Sequence, residues 1–171
     1  NQLKVAAEMD PSSALMGAMY QPALQCEALR AEIFAGKRSP LLFGQPEEWM
    51  GWMIQACQLE GEGKLAESLA LREKALEAAP ATGGKIDGQE FEWIADADTR
   101  LGPMIEAIIN GSLYWVPYAR IHEMQVEEPA DLRDMVWIPA RMVWTNGGEA
   151  FALLPGRYPG SEESEDGAVR L

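Results

Sequence analysis

The chain has 171 residues, 47% of them apolar, two cysteines and a net charge of −13. That size and apolar fraction suit one or two packed cores and exclude disorder throughout. The acidic balance, heavier in the second half, argues against nucleic acid and anionic membranes, and Cys26 and Cys57 are too few for a disulfide framework.

The expected compartment is the cytoplasm: no signal-peptide pattern is present and no apolar run is long enough to span a bilayer. Asn1 opens the chain without an initiator Met, and residues 2–9 read as the end of a helix, which predicts a further N-terminal part. Asp10 and Pro11 then mark a helix start, a capping carboxylate ahead of a proline suited to the first turn. Leu15, Met16, Met19, Ala23, Leu24, Ala28 and Ile33 recur at helical spacing, Pro22 predicts a kink or a split, and Gly36 and Pro40 a stop. Leu41 to Phe43 reads as a loop folding back onto a core.

A second helix opens at Pro46 with Glu47 and Glu48 in its first turn. Trp49, Trp52, Met53 and Ala56 form one apolar stripe, with Met50, Ile54 and Cys57 beside it. The combined face is wider than one neighbour requires. Gly61 and Gly63 end this helix, and a third runs from Lys64 to Ala79 before Pro80. Trp52, Leu59, Gly63, Ala75 and Pro80 resemble the landmarks of a tetratricopeptide repeat, a helical hairpin of about 34 residues. Ser68 and Arg72 depart from the pattern, standing where a small Ala and an aromatic are usual. Ala6 and Glu8 stand to Pro11 as Ala75 and Glu77 stand to Pro80, an echo of an earlier copy.

Residues 81–88 read as a Gly-rich linker. Beyond it the periodicity turns to strands: Met104–Ile109 and Leu113–Val116 around the hairpin signal Asn110-Gly111, then Ile121–Glu127, then Val136–Trp144 and Ala150–Leu154 around Asn146-Gly147-Gly148. Pro139 predicts an edge or a bulge. The expected fold is therefore α+β in two modules: tetratricopeptide-like helical hairpins over 1–82, and a small antiparallel β module, a curled sheet or partly open barrel, over 83–160. An acidic disordered tail over 161–171 completes it.

Few residues suggest chemistry. Asp96 and Asp98 are spaced to chelate a divalent metal, which would suit a metal-dependent enzyme. The competing reading is a structural ion-pair cluster of Asp96, Asp98, Arg100, Arg133 and Asp134, because Arg outnumbers Lys in the β module and pairs two-pronged with carboxylates. His122 is the only histidine and has no nucleophile signature beside it. Cys26 and Cys57 lack metal-ligand spacing and read as core thiols. No cofactor motif is present. Trp49, Trp52 and Met53 are the candidate partner-binding residues, on a helical face suited to accept an amphipathic helix, and packing against the expected N-terminal helices explains the same face equally well.

Long blocks of the chain resemble the ImpE/SciE/TagJ family: Glu32–Gly36, Pro46–Trp49, Ala78–Gly84, Ile86–Gly88, Phe91–Pro103, Leu132–Asp134 with Trp137, Asn146–Glu149 and Arg157–Gly160. The resemblance implies a non-enzymatic, cytoplasmic accessory protein of bacterial type VI secretion. It implies binding to a helical segment of the small sheath subunit and an indirect link to the ClpV-type ATPase that disassembles the sheath. It transfers no catalytic residue. A general tetratricopeptide-like peptide chaperone is the alternative binding function.

Overall fold

The computed structural model describes residues 11–161, with side chains from Tyr20 onward. Three helices precede most of the sheet: α1 (Pro11–Phe34), α2 (Glu48–Gly61) and α3 (Leu65–Ala78). α1 continues as one helix through Pro22, so the expected split does not occur. The Asp10 cap and the earlier repeat copy fall outside the described residues, as does the acidic tail beyond Ser161, which is itself buried.

α2 and α3 form an antiparallel hairpin. Ser68 and Arg72 depart from the repeat pattern because both face α2. The Ser68 hydroxyl donates to the Ala56 carbonyl at 2.7 Å, and Arg72 pairs with Glu60. A polar side chain buried at a helix contact requires such a partner. The end of α1 presses on the end of α2. Gly36 adopts φ +72°, and a Cβ there would lie 2.9 Å from the Gln58 carbonyl oxygen.

The strands are β1 (Leu41–Leu42), β2 (Gly84–Ile86), β3 (Gln89–Phe91), β4 (Met104–Ile109), β5 (Ser112–Pro117), β6 (Ile121–Val126), β7 (Trp137–Trp144) and β8 (Glu149–Pro155). Six of them form one open sheet in the order β1-β5-β4-β8-β7-β6. Neighbours run antiparallel, except that β1 pairs parallel with β5. The expected loop at Leu41–Phe43 is thus an edge strand. The expected linker over 81–88 is corrected too: β2 and β3 make a separate hairpin around Asp87 (φ 50°) and Gly88 (φ 82°). Asn110 (φ 50°) and Gly111 (φ 76°) close the β4–β5 hairpin, the paired positive φ values that a two-residue turn requires.

Pro139 lies within β7 rather than at a bulge. Its backbone is directed to the β6 side, where Glu127 N–H donates to its carbonyl at 3.1 Å just beyond the end of β6. The absent N–H therefore costs a bond only where the ladder runs out.

The sheet curls. One face packs on the helices through Met104, Ile108, Trp115 and Leu153 against Ile33, Phe34, Trp49 and Met53. The other encloses a second cluster that includes Ala107, Val116, Ala140 and Met142. Phe43, just past β1, reaches across this concave side to Trp144, with ring centroids 4.1 Å apart. The barrel is not closed, because β1 and β6 remain edges. β4 and β8 share only the pairs Ile108↔Leu153 and Ile109↔Ala152, a short seam down the middle of the sheet.

Candidate partner-binding face and its polar frame

α3 presents Leu65, Leu69 and Leu76 to solvent, at 59%, 61% and 40% exposure. Their spacing of four and seven residues puts them on one stripe. Between this stripe and the turn at Thr99 runs an open groove of about 590 Å³, lined by Leu69, Arg72, Glu73, Leu76, Glu77 and Thr99. Its floor is apolar, Glu73 and Glu77 are exposed on its rim, and Arg72 is engaged by Glu60.

Residues 95–103 form the turn that carries Thr99 to the far side of the groove, and they bond to themselves. The Asp98 N–H donates to Asp96 Oδ1 at 2.8 Å, the Arg100 N–H to Asp98 Oδ1 at 2.9 Å, and the Asp96 N–H to the Gly102 carbonyl at 2.7 Å. Gly102 (φ +54°) has no room for a side chain, since a Cβ would stand 2.9 Å from Leu76 Cδ2. The turn is thereby seated directly on α3.

The Arg157–Gly160 segment clamps this turn from behind. The Tyr158 hydroxyl donates to Asp96 Oδ1 at 2.5 Å, and Arg100 Nη2 donates to the Pro159 carbonyl at 3.3 Å. Arg100 also grips both oxygens of Asp98 and lies 4.4 Å above the Phe34 ring. Burial works against the Asp98 charge, but the bonds from Arg100 hold its carboxyl below the usual range. Burial pushes the Asp96 carboxyl up, only partly offset by the Tyr158 bond. Burial and the Asp96 charge push the Tyr118 hydroxyl up to about 12, and burial with the Asp96 bond raises Tyr158.

The expected ion-pair cluster is two separate turns. Asp96, Asp98 and Arg100 belong to the turn that carries Thr99. Arg133 pairs with Asp131 in the β6–β7 loop, and Asp134 Oδ2 accepts the N–H groups of Ala130 and Asp131. Arg133 also lies 5.3 Å from the Tyr20 ring. The carboxylate oxygens spaced for a metal already hold a guanidinium, a phenol and backbone donors, so this geometry lends the metal reading no support.

Trp49 and Met53 are buried, at 4% and 1% exposure, in the core shared with the sheet. Trp52 is half-buried beneath Lys74, whose Nζ stands 3.6 Å from the ring centroid. Of that trio only Trp52 has surface to offer. Trp93 is 68% exposed. Cys57 is buried, and burial pushes its thiol up to about 11.

A buried network between α1 and the sheet gave no clear sequence signal. Arg30 and Glu106, 2% and 3% exposed, pair through Nε at 2.9 Å and Nη2 at 2.7 Å. Arg30 also donates to Glu27 and to the Arg157 carbonyl, Trp115 Nε1 donates to Glu106 at 3.4 Å, and Trp137 Nε1 donates to Glu27 at 2.9 Å. Burial opposes the Arg30 charge, and the bonds to Glu106 more than offset it. For Glu106, burial outweighs the pull of Arg30 and raises the carboxyl.

Residues 88–171 match the family described as ImpE protein. The whole chain is 49% identical to the type VI secretion system accessory component TagJ of Pseudomonas aeruginosa, and spans 61% of that relative's length. The crystal structure of protein VPA1032 from Vibrio parahaemolyticus shares the fold, with a TM-score of 0.81 and 20% identity over 92% of this chain and 59% of that one. The chain is thus similar, in its second half, to the ImpE family and, along its whole length, to a TagJ accessory component.

Proposed function

We propose that this chain is a non-enzymatic accessory protein of type VI secretion. In the cytoplasm it binds a helical segment of the small sheath subunit through tetratricopeptide-like helices, and so connects the sheath with its ClpV-type ATPase. The observation that carries this reading is the leucine stripe of α3 beside the acidic-rimmed groove. A helix with an apolar stripe at matching intervals would bury those leucines, and basic residues flanking its stripe would meet Glu73 and Glu77. The similarity to TagJ supports the secretion context.

The test is titration calorimetry with purified small sheath subunit, on the chain and on a Leu69→Asp, Leu76→Asp double variant. Saturable binding by the parent, lost in the folded double variant, supports the reading. Absence of binding by the parent, or equal binding by both, refutes this surface. A scan of unrelated amphipathic helices that bind equally well would favour a general peptide chaperone instead.

A further inference from the structure

β6 is the last strand of the six-stranded sheet, and among the described residues no strand pairs with its far side. The register determines what that side presents. Glu127 bonds to Pro139, so residues spaced by two from Glu127 turn their backbone groups toward β7: Gln125 opposite Arg141, and Glu123 opposite Val143. Met124 and Val126 therefore direct their N–H and C=O groups to the open edge.

The side chains divide just as sharply. Met124 and Val126 lie on the concave face opposite Met142 and Ala140, and Val126 is 53% exposed. Glu123, Gln125 and Glu127 lie on the other face and are all exposed, with the Gln125 amide donating to Glu123 at 2.7 Å. No Lys or Arg occurs between Ile121 and Leu132.

We propose that the open edge of β6 receives an extended peptide segment in which Lys or Arg alternates with Val, Ile or Leu. Strand addition supplies main-chain bonds to Met124 and Val126. Alternation then places the basic side chains beside Glu123, Gln125 and Glu127, and the apolar ones beside Met124 and Val126. A second copy of this chain does not fit, because pairing two β6 edges would set carboxylates against carboxylates. The irregularity between Ile121 and Glu123 ends regular pairing on that side, so the paired stretch is short. Beside it, a slot of about 240 Å³ between β6 and the β2–β3 hairpin is bordered by Ile86, Phe91 and Ile121 and also by Lys85, His122 and Glu123, so it offers a terminal side chain both apolar and polar contacts. This edge shares no residue with the α3 groove, so the two proposals fail independently.

The test uses the whole chain and capped synthetic peptides of alternating Val and Lys, or alternating Val and Glu, followed by amide NMR. The Val–Lys peptide is expected to bind and to slow exchange of the Met124 and Val126 amides, while the Val–Glu peptide does not bind. Val126→Pro removes one outward donor and is expected to weaken binding at least tenfold. Glu123→Lys with Glu127→Lys is expected to reverse the preference between peptides, and serves as a second test should the proline variant fail to fold. Absence of Val–Lys binding, binding without protection at Met124 and Val126, or an unchanged preference in the charge-reversed variant would overturn the proposal.

Discussion

Glu106→Leu removes the central acceptor of the network between α1 and the sheet. Arg30, itself 2% exposed, keeps only Glu27 and the Arg157 carbonyl, and Trp115 Nε1 loses its acceptor. Stranding one member of a buried ion pair costs roughly 3–5 kcal/mol. The two bonds left to Arg30 place the expected loss near the lower end, about 3 kcal/mol. In a chain of this length each kcal/mol moves Tm by about 2–4 °C, so the midpoint should fall by about 6–12 °C. Adding Arg30→Met removes the stranded charge and should recover more than half of the loss, since apolar replacement of a whole buried pair is often neutral. Urea unfolding followed by tryptophan fluorescence, read as a double-mutant cycle, measures both quantities. A single-variant loss below about 1 kcal/mol, or a double variant no more stable than the two separate losses added together, would show that the pair does not tie α1 to the sheet.

Asp98→Asn should cost about 2 kcal/mol at neutral pH, the scale of charge-assisted hydrogen bonds. Because the folded-state pKa of Asp98 lies below its ordinary 3.8, this contribution is present above 3.8 and lost as the pH falls through the folded value. The penalty, measured by denaturant titration, should therefore hold from pH 7 down to about pH 4 and shrink only below that. Gly61→Ala puts a methyl against the Ala35 carbonyl and should cost about 1–3 kcal/mol in the same measurement. Cys57, buried and shifted up to about 11, should resist thiol reagents at pH 8 in the folded chain and react on unfolding. Leu69→Ala, at an exposed position, should change stability by no more than about 0.5 kcal/mol.

What the sequence disclosed was local. Asn110-Gly111 and the Asn146–Gly148 loop marked their hairpins because positive φ is written in residue type. Asp87-Gly88 carries the same signal, and the Gly-rich composition around it obscures the hairpin. The parallel pairing of Leu41–Leu42 with Tyr114–Trp115 joins residues far apart in the chain and leaves no periodic trace in two residues. Glu106, set in an otherwise apolar strand, looks like an outward-facing residue until Arg30 is seen beside it. In the turn that carries Thr99 the Asp98–Arg100 pairing followed from proximity. The Tyr158–Asp96 bond did not, because only the fold brings those two blocks together.

The seam between β4 and β8 has two rungs, and α1 crosses it, joined to β4 through Glu106 and to β7 through Trp137. The two groups of strands are thus tied twice, in the plane of the sheet by those rungs and across its face by the side chains of one helix.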